Sequence, residues 1–334
     1  MLRPRISVIT TTWNRERYLP RVYKSLLTQS YQEFEWIVAD DCSEDETQDL
    51  VISLASTSPF PVVVLRASVH IGKARMDNEA VAAARGNLLV WCDSDDYFLP
   101  NALEALIAGW DSIPPENQEN FIGISALCES SDSILNSHIL GESPFDAKLI
   151  DLEYKHRVKD DGVLFLRAEI LKSHKFPEVD FVVPESAVWS ALGQWHIRSL
   201  PIVLKKVEYN AQHCISFAPG MKYNRGRAHA MAISVRHQRN NQSLLHKQLW
   251  RTITYFRYCI HGDIDIRTAF QLWGRNTPWL VAIGCMLPAS LLVLKDRFQQ
   301  KIVKTHLEFD RAAQSVHIKE YHPKTMQEDI EKSF

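Results

Sequence analysis

The stretch that decides the fold is LLVWCDSDD at residues 88–96, where five apolar residues run into an acidic turn. A short apolar run bounded by turn residues is typical of a strand that is buried on both faces of a parallel sheet. Ligands of such sheets bind beyond the carboxyl ends of the strands, which is where Asp93 and Asp95 fall. Carboxylates suit Mg²⁺ or Mn²⁺, whose remaining ligands are usually water and substrate phosphates. We therefore expect a divalent metal at Asp93 and Asp95, facing a phosphate-bearing substrate.

Upstream of this stretch, strand-like and helix-like segments alternate. Residues 6–10, 34–39 and 61–65 are short and β-rich, which predicts strands. Apolar residues at helical spacing over 19–27, and an alanine-rich segment over 72–85, predict helices between and after them. This alternation predicts βαβ units and an α/β fold with a doubly wound parallel sheet.

A second acidic pair, Asp40 and Asp41, follows the second predicted strand. Two acidic clusters therefore lie at the carboxyl edge of one sheet. Ser43 is expected to cap the next helix, and Gly86 to end the alanine-rich one. The first βα turn, TTTWNR at residues 10–15, has no GxGxxG pattern, and the chain has no Walker A motif. These absences argue against a dinucleotide oxidoreductase and a P-loop ATPase.

Length, charge and cysteine content indicate which kind of protein this is. The 334 residues predict about two domains. A net charge of −2, with 46% hydrophobic and 23% charged residues, is ordinary for a globular enzyme and excludes a general nucleic-acid binder. The six cysteines form no CxxC pair, so we expect buried thiols in a reducing compartment. The first residues contain no secretory apolar run, so a cytoplasmic location is expected.

Charge is unevenly distributed in the second half of the chain. No acid stands between Glu208 and Asp263, and a 17-residue run without charge follows at 278–294, interrupted by Pro288. That run is short for a full membrane span, so we expect a helix in the interface of an anionic membrane. A solvated basic face and a buried helical hairpin are the alternatives. The cations of the acid-free segment are Lys222, Arg225, Arg227, Arg236, Arg239, Lys247, Arg251 and Arg257.

Four segments together carry a resemblance to a known family. They are ISVITTTWNR (6–15), LLTQSYQEFEWIVADDCSEDET (26–47), GKARMDNEAVAAARGNLLVWCDSDDYFLP (72–100) and PESAVWSALGQWHIRSLPIVLKKVEYN (184–210). In this order they resemble a family 2 glycosyltransferase of GT-A fold. The resemblance implies a GT-A domain over 1–216. Residues 217–334 depart from the family pattern, and we expect a helical region there. The resemblance also implies inverting transfer of a sugar from a nucleotide-diphosphate donor to a hydroxyl acceptor, in polysaccharide or glycolipid assembly.

The resemblance assigns roles to particular residues. Those placed around the nucleotide sugar are Thr11, Asp40, Asp41, Lys73, Asn78 and Asp93. Asp93 and Asp95 match the metal-binding DxD motif. Cys42 stands where the family usually has a glycine after the acidic pair. Cysteine adopts a positive φ at greater cost than glycine, so we expect the loop to differ there.

The catalytic base is expected late in the domain. Glu185, in PESAVW, matches the acidic motif that opens a helix in the family. A carboxylate there would accept the proton of the acceptor hydroxyl. The alternative for Glu185 is a first-turn residue stabilised by the helix dipole, and Asp180 or Asp161 could then be the base.

The expected partners are a nucleotide-sugar donor, a sugar or lipid-linked acceptor, and an anionic membrane surface on its cytoplasmic face; nucleic acid is not expected. One rival is a catalytically silent nucleotide-sugar-binding or scaffold protein, against which an intact DxD motif and Glu185 argue. The other is a nucleotidyltransferase of similar fold. Such an enzyme would have a glycine- and lysine-rich first βα loop, which residues 10–17 lack.

Overall fold

The chain forms two compact units. A computed structural model describes residues 3–131, 133–158, 162–179, 182–208, 224–238, 245–273, 279–299 and 316–321. The sheet unit contains the described residues up to 175, residues 195–208 and the segment 316–321, whereas the helical unit contains 176–194 and the described residues from 224 to 299. The units thus interleave along the chain, and 176–194, which the sequence assigned to the first domain, groups with the later helices.

The elements alternate as expected in the first hundred residues. The strands are β1 Ile6–Thr12, β2 Phe34–Asp40, β3 Val62–Ala67, β4 Leu88–Trp91, β5 Tyr97–Phe98, β6 Phe121–Glu129, β7 Phe145–Lys148, β8 Gly162–Arg167, β9 His196–Lys206 and β10 Val316–Tyr321. The helices are α1 Leu19–Leu27, α2 Thr47–Thr57, α3 Lys73–Ala83, α4 Ala102–Asp111, α5 Leu149–Tyr154, α6 Ala168–Ser173, α7 Ser186–Ala191, α8 Asn224–Gln238, α9 Leu245–His261, α10 Ile266–Trp273 and α11 Trp279–Gln299.

The sheet has the order β10-β3-β2-β1-β4-β8-β6-β9-β5, with β7 paired to β9. Strands β3, β2, β1 and β4 are mutually parallel, as the sequence predicted. The other half is mixed: β8 is antiparallel to both β4 and β6, while β6 is parallel to β9. Strand β10, which the sequence did not predict, pairs antiparallel with β3.

The register aligns the carboxyl ends of the parallel strands. Thr12 of β1 lies opposite Asp40 of β2, and all positions of both strands are buried, as expected for a sheet covered on both faces. A buried polar link crosses three strands next to the acidic turn: Trp36 Nε1 donates to Thr10 Oγ1 at 2.9 Å, and Thr10 Oγ1 donates to the Cys92 carbonyl at 2.8 Å. This link fixes the strand ends that carry the acidic residues.

Two predicted helix boundaries are wrong. Glu46, not Ser43, occupies the N-cap position of helix α2, and the Ser43 hydroxyl instead donates to Asp40. Helix α3 ends at Ala83, with Ala84 rather than Gly86 at its C-cap position. Gly86 is required for another reason, because a Cβ there would lie 2.5 Å from the backbone nitrogen of Ser7. The Ser43 bond is a local one, between residues three apart in sequence, whereas a long-range contact with β1 determines Gly86.

The helical unit has a core of its own. Tyr255, Phe256, Trp273 and Cys285 are all buried in it, and Tyr255 Oη donates to the Ala269 carbonyl at 2.6 Å. Among the helices that the structure describes, none combines the length and apolar character needed to cross a bilayer.

Candidate active site

The acidic turn after β4 meets two lysines from distant parts of the chain. Asp93 Oδ1 lies 3.4 Å from Lys73 Nζ, and Asp93 Oδ2 lies 4.0 Å from Lys205 Nζ. Oδ1 is itself buried and accepts no hydrogen bond. Burial would raise the pKa of Asp93, but Lys73 and Lys205 hold it below its usual value. Asp93 is therefore an ionised carboxylate with an oxygen left for another cation.

Lys205 organises this turn from β9. Its side chain is 7% exposed, and its Nζ pairs with Asp96 Oδ2 at 2.9 Å. The second Asp96 oxygen accepts from the backbone nitrogen of Glu208 at 3.1 Å. Burial alone would lower the pKa of Lys205, but Asp96 and other acidic neighbours raise it well above the ordinary value. Lys205 is therefore a permanent buried cation beside the DxD motif.

Asp95 has cationic neighbours of its own. Its Oδ2 lies 3.7 Å from a terminal nitrogen of Arg15, and its backbone carbonyl accepts from Arg21 at 2.5 Å. Burial and the nearby Asp93 raise the pKa of Asp95, while Arg15 opposes the rise. A second cation beside Asp95 would relieve the repulsion between the two carboxylates.

Asp77, which was not among the predicted site residues, bonds to both Thr11 and Lys73. Asp77, buried on α3, accepts from Thr11 Oγ1 at 2.5 Å, Lys73 Nζ at 2.9 Å and Trp91 Nε1 at 3.1 Å. The Thr11 hydroxyl thus donates inward. Asn78 is also buried on α3. This hub connects β1, α3 and β4 and aims Lys73 towards Asp93.

The carboxylates of Asp40 and Asp41 bond to a separate set of protein groups. Asp40 Oδ2 pairs with Arg66 at 2.7 Å, and burial raises its pKa against the influence of Ser43 and Arg66. Asp41 accepts from the backbone nitrogens of Ile71 at 2.6 Å and Gly72 at 2.8 Å. These bonds anchor the loop that leads into α3.

His70 extends this anchor to the surface. Its Nδ1 lies 2.9 Å from Asp41 Oδ2, and its ring stacks on Trp13 with centroids 4.5 Å apart. The hydrogen bond to Asp41 raises the pKa of His70. Trp13 is 37% exposed, so an aromatic face is accessible beside the carboxyl ends of β1 and β2. Cys42 has φ +60°, so the chain keeps a left-handed turn there despite the side chain.

Glu185 lies in the helical unit. It is exposed and occupies the N-cap position of α7. Its role as base stays a prediction, and Asp161 and Asp180, the other candidates, lie outside the described residues.

The sheet unit thus brings Thr11, Lys73, Asp93 and Lys205 into one network and Asp40 and Asp41 into a second. No group of three His, Cys, Asp or Glu side chains that could enclose a metal occurs in the part of the chain that the structure describes. Two carboxylates with an unused oxygen instead fit a cation whose other ligands come from a substrate.

Sequence reasoning missed Arg15, His70, Asp77 and Lys205. Lys205 left one signal, because it directly follows an apolar run, IVL at 202–204, inside a strand. Asp77 left another, because it stands four residues after Lys73 on one helix. Arg15 and His70 carry no local signal, since their partners Asp95 and Asp41 are distant in sequence.

Comparisons with known proteins find relatives of the first part of the chain. Residues 7–117 match the family model described as "Glycosyl transferase family 2". An uncharacterized glycosyltransferase of Haemophilus influenzae is 31% identical over 124 residues, covering 37% of this chain and 40% of that protein. A Campylobacter jejuni protein named GalNAc(5)-diNAcBac-PP-undecaprenol beta-1,3-glucosyltransferase is 32% identical over 104 residues, 31% of this chain and 34% of that protein. The matches span 32% to 40% of the length of the first curated relatives.

A solved structure extends the likeness to most of the chain. Staphylococcus aureus TarS, residues 1–349 in complex with UDP-GlcNAc, superposes with a TM-score of 0.58 at 18% identity. The superposition covers 92% of this chain and 97% of that one. The GT-A fold predicted from the sequence is thereby confirmed, with the additional helices after it.

Proposed function

We propose, from the membership of residues 7–117 in glycosyl transferase family 2, that the chain is an inverting glycosyltransferase. It would transfer a sugar from a nucleotide-diphosphate donor to a hydroxyl acceptor. The observation that carries this proposal is the acidic turn, where Asp93 lies between two lysines and its buried Oδ1 accepts no hydrogen bond. Such a turn at the carboxyl edge of the sheet suits a diphosphate bound through a cation.

Asp93 and Asp95 fit a divalent metal, Mn²⁺ or Mg²⁺. The orphaned Asp93 oxygen and the raised pKa of Asp95, caused by burial and by Asp93, both favour an added cation. When bound, the metal would neutralise charge that develops on the departing diphosphate. Arg15 and Lys73 lie beside these carboxylates and would stabilise the same charge by direct contact with phosphate oxygens.

The donor would lie along the carboxyl edge of the sheet. The exposed Trp13 face, stacked on His70, offers a surface for the base. Because the carboxylates of Asp40 and Asp41 are already bonded to the protein, their contribution to the nucleotide site is mainly to hold that loop. Asp93 and Lys73 would orient the diphosphate.

Glu185 is proposed as the base. It is exposed at the N-cap position of α7. An exposed carboxylate would accept the proton of an acceptor hydroxyl as that oxygen attacks the anomeric carbon. The glycosidic bond forms on the face opposite the departing nucleotide, which inverts the configuration.

The acceptor is proposed to be a lipid-linked sugar. Two curated relatives are named for undecaprenol-diphosphate substrates: the Campylobacter jejuni protein above, and an Escherichia coli protein named UDP-Glc:alpha-D-GlcNAc-diphosphoundecaprenol beta-1,3-glucosyltransferase WfgD. The latter is 27% identical over 178 residues, which cover 52% of this chain and 64% of that protein. Such an acceptor would place the chain in polysaccharide or glycolipid assembly.

Helix α11 supports docking on the cytoplasmic face of an anionic membrane. Ile283, Leu287, Leu291 and Leu294 follow one another at helical spacing, and Leu287 and Leu291 are 71% and 60% exposed. The exposed Lys295 follows the stripe, and the acid-free segment precedes it, so the flanking charge complements anionic headgroups. The opposite side of the helix, including Ala282 and Ala289, packs in the helical core.

The membrane proposal is tested by co-sedimentation of the full chain with anionic liposomes. Binding should weaken at high salt and be lost in the double variant Leu287→Ser/Leu291→Ser. The control is Leu140→Ser, which changes an exposed leucine of the sheet unit. If the full chain does not bind anionic liposomes, or if the double variant binds them as well as the wild type, the exposed apolar residues of α11 do not form a membrane-binding surface.

The catalytic proposal is tested by turnover. A screen of UDP-, GDP- and dTDP-sugars should find a donor that is hydrolysed slowly without acceptor in Mn²⁺. Glu185→Gln should reduce transfer to acceptor about 100-fold or more with unchanged donor affinity. Glu178→Gln, in the same unit, is the matched control. Loss of donor affinity with preserved turnover of bound donor would instead make Glu185 a binding residue, and absence of any turned-over donor would favour a silent binding protein.

A further inference from the structure

A cavity lies at the edge of the sheet opposite to the acidic turn. It has a volume of about 440 Å³ and is bordered by the residues that begin β4 and that precede β1. The start of β4 at Leu88 and the turn at Asp93 are separated by five residues of extended chain, roughly 16 Å at the rise of a strand. The cavity is therefore distinct from the candidate active site.

Cations dominate its wall. Arg3, Arg5, Arg167 and Lys172 line it, against the single carboxylate of Glu169. Arg5 pairs with Asp111 at 2.7 Å, just outside the lining, and Arg167 pairs with Glu169. Counting both carboxylates, the net charge at the cavity is +2.

The two other cations are held by neutral groups. Arg3 Nε donates to the Arg85 carbonyl and Lys172 Nζ to the Ala84 carbonyl, both at 2.8 Å. A carbonyl orients a cation without cancelling its charge. Both side chains thus point their charge at the same part of the surface, and a concave, positively charged wall concentrates the field there.

The rest of the cavity wall offers apolar and amide groups, which suit a ligand larger than an inorganic anion. Leu88 and the indole of Trp110 are apolar, whereas Asn87 and Gln118 offer amide groups. A volume of about 440 Å³ exceeds that of a phosphate and lies in the range of small-molecule sites. We infer that this cavity binds a phosphate ester of about the size of a sugar phosphate, with the cations on the phosphate and the apolar wall against the sugar. The inference does not depend on the proposed transfer reaction.

The test is calorimetric titration of the full chain with glucose 1-phosphate and, separately, pyrophosphate. EDTA is present, and the background is Asp95→Ala so that the candidate active site does not contribute. Saturable binding is expected at low salt. Removal of one charge-assisted contact, in Arg3→Gln or Lys172→Gln, should weaken it about tenfold or more. Lys24→Gln, an exposed cation on α1, is the matched control and should bind as the parent does.

A variant that binds more tightly cannot be explained by misfolding, so it complements the variants that lose affinity. Glu169→Gln removes the carboxylate of the wall that neutralises Arg167, so this variant should bind the ligand several-fold more tightly than the parent. Absence of saturable binding below millimolar ligand would overturn the inference. So would equal affinities of Arg3→Gln, Lys172→Gln and Glu169→Gln. Binding of pyrophosphate but not glucose 1-phosphate would overturn the sugar-phosphate assignment.

Discussion

Replacing Lys205 with methionine removes a buried cation and keeps most of its volume. The Nζ lies 2.9 Å from Asp96 and 4.0 Å from Asp93. At an effective dielectric constant of about 20, these distances correspond to attractions of about 6 and about 4 kcal/mol. Several kcal/mol are offset by desolvation of the ammonium group, so we expect a net loss of about 3–5 kcal/mol, as for other broken buried pairs. For a unit of this size the melting temperature should fall by about 6–20 °C.

The loss should depend on pH in a defined direction. Burial raises the pKa of Asp96 to about 6 even with Lys205 beside it. Without the lysine that pKa rises further. A carboxyl whose folded-state pKa lies above its unfolded value gains stability as pH falls through the folded value. The variant should therefore recover part of the deficit between pH 8 and pH 5, because protonation removes the uncompensated charge.

The assay is thermal unfolding of wild type and variants at pH 8 and pH 5. Lys206→Met is the control, since its Nζ is 3.6 Å from Glu129 and its side chain is 35% exposed. Such a pair contributes about 0–1 kcal/mol. If Lys205→Met melts within 3 °C of Lys206→Met at pH 8, or if its deficit is the same at pH 5, the role assigned to Lys205 is refuted.

Three further predictions concern the loops. Cys42→Gly should raise the free energy of unfolding by about 0.5–1 kcal/mol in urea titration, because φ +60° costs glycine little. Cys42→Ala should bring no gain. An equal gain in both variants would show that the backbone of Cys42 is not strained. Gly86→Ala should lose about 1–3 kcal/mol in the same titration, since its Cβ meets the Ser7 backbone, and unchanged stability would exclude the close approach. Asp41 raises the pKa of His70, so the His70–Asp41 ion pair should stabilise the fold fully below pH 6.5 and lose this effect as pH rises through the raised pKa. Urea unfolding midpoints measured from pH 6 to 9 should therefore fall less with pH in His70→Gln than in the wild type. The same pH slope in both proteins would argue against the His70–Asp41 ion pair.

The parallel half of the sheet could be predicted because its signals are local. Apolar runs such as 88–92 and helical spacing over 19–27 depend on neighbours in sequence, and both became the expected elements. The acidic residues at the carboxyl edge followed directly, since parallel strands align their ends. Their surroundings did not follow, because Lys205 reaches Asp96 from more than a hundred residues away.

The mixed half of the sheet depended on tertiary contacts. Strand β10 adds to the edge beside β3, and no pattern near 316–321 specifies that partner. The predicted cap of α2 failed for a local reason. Ser43 satisfied the rule for a helix cap, yet its hydroxyl donates to Asp40, three residues earlier, and such local bonds compete with capping.

We propose that the acidic turn binds a nucleotide-diphosphate sugar through a divalent cation held by Asp93 and Asp95. The test is calorimetric titration of the full chain with UDP-, GDP- and dTDP-sugars, in Mn²⁺ and in EDTA. We expect one donor to bind in Mn²⁺, and we expect EDTA or Asp95→Ala to reduce its affinity at least tenfold while the melting temperature shows a folded protein. A donor that binds equally well in Mn²⁺, in EDTA and to Asp95→Ala would show that these carboxylates hold no cation for it.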